Sequence, residues 1–364
     1  MRIEELDTPA VIVDLDILES NLQSLASYCR KHSIGLRPHT KTHKIPAIAK
    51  MQIESGCHGI TVAKVGEAEV MADAGLNDIL IAYPLWGATK LERLTKLAQD
   101  RKITVSLDSL PVAQGISEAA NRAGCRVNLL IEFDVGMHRC GIQSVDDWLK
   151  LAQAVDRLPG VHFAGLMFYP GHIWDLPEDQ GPALKQLSQT IEEIQSELKK
   201  HKMSCEVVSG GSTPTAYNSH QVRGLTEIRA GTYVFYDMNE TKAGYSRVAE
   251  CALKVLVTVV SNAVKGRAII DGGSKTFSGD RLISGDKQGF GCVTEHPEVQ
   301  FVSMSEEHGH LDLGESDYQP QIGDKLTIIP NHVCTCVNMH DQIYYHRKGI
   351  VEGSWKIEGR GKLR

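Results

Sequence analysis

No run in this 364-residue chain approaches the roughly 20 consecutive apolar positions that a membrane-spanning helix requires. The opening residues, MRIEELDTPA, hold one basic residue, early acids and no apolar stretch, so no secretory signal is expected. Blocks of lysine and arginine are also missing. The 39 basic residues face 45 acidic ones for a net charge of −6, which argues against nucleic acid as the main partner. There is no low-complexity tract and no repeat at solenoid periods. No CxxC pair occurs, so a closed structural zinc site is not expected. The nine cysteines are odd in number and lack framework spacing, as for reduced, mostly buried thiols. With 42% hydrophobic and 23% charged residues, the chain can bury a full core without cross-links. These absences leave a cytoplasmic enzyme or small-molecule binder, with no membrane and no nucleic-acid partner.

What recurs is alternation of short β-branched runs with longer stretches of helical spacing. Leu15, Leu18, Leu22, Leu25 and Cys29 mark a first helix. Eight strand candidates follow, at 34–37, 58–62, 78–82, 103–107, 126–132, 161–167, 204–208 and 226–230. Helices are expected near 43–55, 64–75, 88–100, 111–124, 145–157 and 181–201, and a short or irregular one after the seventh strand. Eight such units in about 230 residues have the size and rhythm of a (β/α)8 barrel; a doubly wound open sheet shares the alternation. Beyond about residue 240 the texture changes. Runs at 252–260, 267–271, 299–303, 325–329 and 342–345 are separated by Gly, Pro and Asp turns, as in a mostly antiparallel β-domain. The expected organisation is therefore an α/β protein: a TIM-type barrel over 8–240, then a β-domain over 241–364 that includes residues 1–7.

A barrel places its chemistry where the strands end. The first candidate strand ends in Arg37-Pro38-His39-Thr40-Lys41-Thr42-His43-Lys44. A lysine among other cations can have its pKa lowered and attack a carbonyl. The fifth ends in a segment where Gly136 and Gly141 bracket Arg139, a donor for an anionic or aromatic oxygen. The sixth ends in Tyr169-Pro170-Gly171-His172, a candidate acid/base pair or an aromatic at the rim beside an ordinary histidine. The seventh ends in Ser209-Gly210-Gly211-Ser212-Thr213, and the eighth in Ala230-Gly231-Thr232-Tyr233. Glycine-rich turns offer free backbone N–H groups and the hydroxyls add donors, so both loops suit a phosphate. In the C-terminal part, Pro330-Asn331-His332-Val333-Cys334-Thr335-Cys336 reads as a strand. Residues i and i+2 would then share a face, bringing His332 and Cys334 together as ligands of a borderline metal such as Zn²⁺. Cys336 would join them on that face; the alternative is a buried strand of small residues.

Taken together, RPHTKTHK (37–44), VGMHRCG (135–141), SGGST (209–213), AGTYVF (230–235), SEEHGH (305–310) and PNHVCTCVN (330–338) resemble the D-threonine aldolase and D-serine dehydratase group of fold-type III pyridoxal phosphate enzymes. The similarity runs from DTPAVIVDLD at 7–16 to the C-terminal tail. It implies an alanine-racemase-like barrel carrying pyridoxal 5'-phosphate, a C-terminal β-domain carrying a divalent metal (Zn, Mn or Mg), and a homodimer. Lys41 matches the lysine that bonds the cofactor. Arg139 matches the arginine beside the cofactor ring oxygen. Tyr169 and His172 match groups at the sixth strand end. Ser209, Gly211, Ser212, Thr213, Gly231, Thr232 and Tyr233 fall in the phosphate loops. His332 and Cys334 match the metal pair. Some D-threonine aldolases have aspartate where Cys334 stands, whereas D-serine dehydratases have cysteine. The resemblance implies a lyase on small D-β-hydroxy-α-amino acids, of the aldolase type. The alternatives are a dehydratase of D-serine or D-3-hydroxyaspartate, an amino-acid racemase, and a non-catalytic cofactor carrier.

Overall fold

Short and rich in β-branched and apolar residues, runs such as Ile60–Val62, Lys102–Leu107 and Val127–Phe133 have the pattern of strands covered on both faces. A computed structural model describes residues 1–283 and 289–364 and shows that arrangement. Eight parallel strands are present, Gly35–Leu36, Ile60–Val62, Asp78–Ile81, Lys102–Leu107, Val127–Phe133, Val161–Phe168, Val207–Gly210 and Glu227–Ile228, and the second to the eighth pair in chain order. The eighth returns to the first through Glu227 opposite Gly35. Thr61 N–H donates to the Pro38 carbonyl at 2.8 Å, joining the first strand's exit to the second strand. The sheet is thus a TIM-type barrel, as the alternation predicts, and not an open doubly wound sheet.

Six helices, Pro46–Glu54, Val65–Asp73, Ala88–Leu97, Leu110–Ala123, Val145–Asp156 and Gly181–Lys200, alternate with the strands. After the seventh strand there is only a 3-10 turn, Ala216–Gln221. The longest helix buries Leu184, Leu187, Ile191, Ile194 and Leu198, at spacings of three and four residues. These pack in one continuous core with Ile131, Trp148 and Phe163. Fully burying one such side chain contributes about 1.5–3 kcal/mol. Trp148 also donates its indole N–H to the Ile131 carbonyl at 3.2 Å, so its one polar atom is satisfied.

A second compact unit comprises Met1–Gln23, Thr42–Ile45 and Thr232–Gly361; the barrel unit comprises Ser24–Lys41, Pro46–Gly231 and Lys362–Arg364. These bounds differ from 8–240 and 241–364. Residues 8–23 and 232–240 go with the sheet, because strand Ala10–Asp14 pairs there, antiparallel to Leu253–Ser261 and parallel to Gln342–Arg347. The sheet has nine strands in the order Arg267–Ile270, Gly309–Asp312, Gln300–Met304, Gly291–Val293, Lys325–Pro330, Leu253–Ser261, Ala10–Asp14, Gln342–Arg347 and Ile350–Lys356. All other pairings in it are antiparallel. One expectation is corrected here. The segment after Pro330 is not a strand: His332 is the N-cap of a short helix, Val333–Asn338. Cys336 is fully buried, its thiol donating to the Thr276 carbonyl at 3.3 Å, so it does not share a strand face with His332. No helix among the described residues is long and apolar enough to cross a membrane.

Candidate active site

The first barrel strand leads through His39 into a 3-10 turn, Thr40–Thr42, that carries Lys41. The backbone N–H of Lys41 donates to His39 Nδ1 at 3.3 Å, which holds the turn. Lys41 Nζ lies 6.0 Å from the centroid of the Tyr169 ring, and the Arg139 guanidinium lies 4.7 Å from it. The structure therefore brings together three residues singled out at the first, fifth and sixth strand ends. A hydroxyl-bearing ring between two cations favours an anionic or electron-rich group placed against it.

Arg139 sits on a loop tied down from inside by Asp134. One Asp134 oxygen accepts from the backbone N–H of Gly136 at 3.0 Å and of His138 at 2.9 Å. The other meets His138 Nδ1 and Gln143 Nε2, both at 2.8 Å. Burial acts against ionisation of Asp134, but the Gln143, His138 and Gly136 donors outweigh it and hold the carboxyl well below the usual range. His172 is placed differently. It is exposed and lies over Gly136, where a Cβ would come within 2.9 Å of its Nε2. It lines a hollow of about 340 Å³ with Ile173, Leu187 and Thr190, which Tyr169 and Arg139 do not line.

At the seventh and eighth strand ends the two segments run side by side, Arg229 N–H donating to the Gly210 carbonyl at 3.0 Å. Gly211 has φ +82°, and a Cβ there would lie 3.1 Å from Ile228, so the turn needs glycine. Ser212 and Thr215 hydroxyls meet at 3.1 Å, and Thr213 is buried. Ser209 faces inward instead. Its hydroxyl donates to Glu227 at 2.6 Å and accepts from Arg229 at 2.7 Å. This belongs to a charged network inside the barrel in which Arg37 bridges Glu227 at 3.0 Å and Asp78 at 2.5 Å. Burial would raise the Glu227 pKa, but His58, Arg37 and Ser209 bring it down to about 2. Burial lowers Arg229 to about 10.

In the sheet unit, Thr232 begins a short 3-10 turn and its hydroxyl donates to the Glu240 carboxyl; Tyr233 beside it is buried. Asp237 caps helix Met238–Lys242, one oxygen accepting from Asn239 N–H at 3.0 Å and Glu240 N–H at 3.3 Å. Its other oxygen accepts from Val333 N–H at 3.0 Å and meets His332 Nδ1 at 3.1 Å. His332 and Cys334 side chains are hydrogen-bonded to each other, and the Cys334 thiol donates to Thr42 Oγ1 at 3.3 Å. Burial would lower the His332 pKa, but the Cys334 sulfur and the Asp237 carboxylate push it up to about 12. The pair is thus brought together by a helix start, not by strand alternation. Among the described residues no cluster of three His, Cys, Asp or Glu side chains is placed to hold a metal ion. A nitrogen–sulfur pair backed by a carboxylate nonetheless has the donor chemistry of an open site for a borderline divalent cation.

Sequence reasoning missed Asp134, Glu227, Arg229, Asp237 and Glu240. Only Asp237-Met238-Asn239-Glu240 carried a local signal, an acidic N-cap with glutamate three residues on.

Residues 13–239 match the family model "Alanine racemase, N-terminal domain", and residues 252–346 match "Putative serine dehydratase domain". D-threonine aldolase of Arthrobacter sp is 33% identical over 98% of this chain and 93% of its own length. D-threo-3-hydroxyaspartate dehydratase of Delftia sp. is 33% identical over 90% of this chain and 91% of its own length. The crystal structure of D-threonine aldolase from Filomicrobium marinum superposes with a TM-score of 0.92 at 32% identity, covering 99% of this chain and 98% of that one. An alanine racemase of Bacillus anthracis shares the fold, with a TM-score of 0.74 at 16% identity over 96% of this chain and 98% of its own. Both halves of the chain and its whole length thus point the same way: it belongs to the D-threonine aldolase and D-serine dehydratase family of alanine-racemase-like, fold-type III pyridoxal phosphate lyases.

Proposed function

We propose that this protein cleaves D-β-hydroxy-α-amino acids by retro-aldol chemistry, using pyridoxal 5'-phosphate at Lys41 and a divalent cation at His332 and Cys334. The observation that carries it is the placement of Lys41, Tyr169 and Arg139 around one ring at the C-terminal ends of the barrel strands. The residues fit the cofactor: a primary amine at a strand end, a flanking arginine, and at Gly211 a turn whose backbone a side chain would crowd. When bound, the cofactor supplies an electron sink for the pair left at Cα, and the cation supplies a charge that lowers the pKa of the β-hydroxyl.

The chain's own residues do the rest. Lys41 would hold the cofactor through its Nζ, a primary amine able to bond a carbonyl carbon. The backbone N–H groups around Gly211 and Gly231, with the Ser212 and Thr213 hydroxyls, bind the phosphate. Arg139 would orient the cofactor, and the Asp134 hydrogen bonds hold the loop that carries Arg139. His332 and Cys334 would hold the cation. Carbon balance is simple: D-threonine gives glycine and acetaldehyde as the Cα–Cβ bond breaks. A dehydratase with the same residues has one specific support, the sulfur ligand Cys334, and would convert D-serine to pyruvate and ammonia. The test is incubation of the cofactor-loaded protein with D-threonine and, separately, D-serine, followed by product identification. Glycine with acetaldehyde supports the aldolase; pyruvate with ammonia, and no cleavage of D-threonine, would replace it by the dehydratase.

A further inference from the structure

Two carboxylic acids lie fully buried behind His332, and neither belongs to the set a lyase of this kind needs for its reacting atoms. Asp237 is 0% and Glu240 3% exposed. The two share a side-chain hydrogen bond. Two carboxylates cannot both stay ionised at that distance in a dry site, so one holds a proton. It is Glu240. Burial and the neighbouring Asp237 charge raise its pKa well above the usual carboxyl range. A continuous line results: the Thr232 hydroxyl donates to the Glu240 carboxyl, the Glu240 N–H donates to Asp237 at 3.3 Å, and Asp237 accepts from His332 and from the helix N–H of Val333. Backbone bonds brace both ends. Phe235 and Tyr236 N–H donate to the Thr232 carbonyl at 3.0 and 2.7 Å, and Asn239 N–H donates to the Asn331 carbonyl at 3.2 Å.

We propose that Asp237 and Glu240 are positioning residues that aim His332 at a divalent cation and, through Thr232, couple that cation to a phosphate group held by the loop after the eighth strand. This rests on the reading of His332 and Cys334 as the cation pair and of the loop as a phosphate site. The physical basis is shared order. A carboxylate on one imidazole nitrogen fixes the ring so that the other can coordinate. A phosphate that immobilises the turn at Thr232 also immobilises the line, so the cation that binds next loses less freedom. Coupling is reciprocal, so the cation must tighten phosphate binding by the same factor.

The experiment is titration of Mn²⁺ into the full-length, cofactor-free protein, with binding read by calorimetry in the presence and absence of saturating inorganic phosphate. Phosphate is expected to tighten Mn²⁺ binding at least about fivefold. Asp237→Asn should weaken Mn²⁺ binding at least about tenfold. Thr232→Val and Glu240→Ala should bind Mn²⁺ with no phosphate effect, and Glu240→Gln, whose amide can still donate to Asp237 and whose oxygen can still accept, should keep most of it. Circular dichroism checks that each variant is folded; if Glu240→Ala is not, Thr232→Val decides. An unchanged Mn²⁺ affinity on adding phosphate, in wild-type protein whose binding is lost in His332→Ala, overturns the coupling. Binding that His332→Ala leaves intact overturns instead the cation site on which the proposal rests.

Discussion

Asp134 satisfies four donors with two oxygens, and three of those donors belong to the loop that presents Arg139. Asp134→Ala should destabilise the protein by about 2–4 kcal/mol near neutral pH, since hydrogen bonds to a buried charge are lost and the donors are stranded. The pH dependence has a defined sign. A carboxyl depressed on folding stabilises the protein above its unfolded pKa of about 4, and that contribution is lost as pH falls toward the folded value. Urea titrations should therefore show the gap between wild type and variant narrowing below about pH 4; a gap independent of pH would mean that the ionised carboxylate is not what holds the loop. Lys41 invites a more chemical test. Borohydride reduction of the cofactor-loaded protein should place the cofactor on the peptide containing Lys41, and Lys41→Ala should abolish trapping while retaining cofactor through the phosphate loops. Trapping on Lys44 would reassign the anchor.

At the scale of elements, the barrel strands were legible because both faces are covered and their apolar runs stand out against polar helix faces. In the loop after the seventh strand, Gly211 has the positive φ that glycine allows. Gly211→Val forces a β-branched residue into φ +82° with its Cβ 3.1 Å from Ile228. Cofactor affinity is expected to fall at least tenfold, read by absorbance titration; a folded variant with wild-type affinity would place the phosphate elsewhere. Helix Val333–Asn338 was not legible. Val333, Thr335 and Val337 are β-branched and alternate with His and Cys, which is the pattern of a strand. The helix starts there because a distant residue, Asp237, accepts the Val333 N–H, an interaction no local pattern records. For the same reason the charged interior of the barrel went unseen. Arg37 and Glu227 are 190 positions apart, and only the return of the eighth strand to the first brings them together.

For the molecule as a whole, the change of texture near residue 240 marked the sheet unit, but its N-terminal contribution came from farther into the chain than residue 7. Residues 8–14 fall inside the expected barrel span, yet strand Ala10–Asp14 pairs with Leu253–Ser261 and Gln342–Arg347. Which of two units claims a strand depends on pairings hundreds of residues away. The relatives divide between aldolases and a dehydratase at similar identity, so overall likeness does not choose the reaction, and the choice falls to chemistry. Turnover of D-threonine by cofactor-loaded protein, before and after chelation and again after a divalent cation is restored, is the most direct measurement. The account predicts equal amounts of glycine and acetaldehyde, loss of both on chelation with the visible absorbance of the cofactor retained, and recovery when the cation returns. Full cleavage in metal-free protein, or inversion at Cα without cleavage, would contradict it.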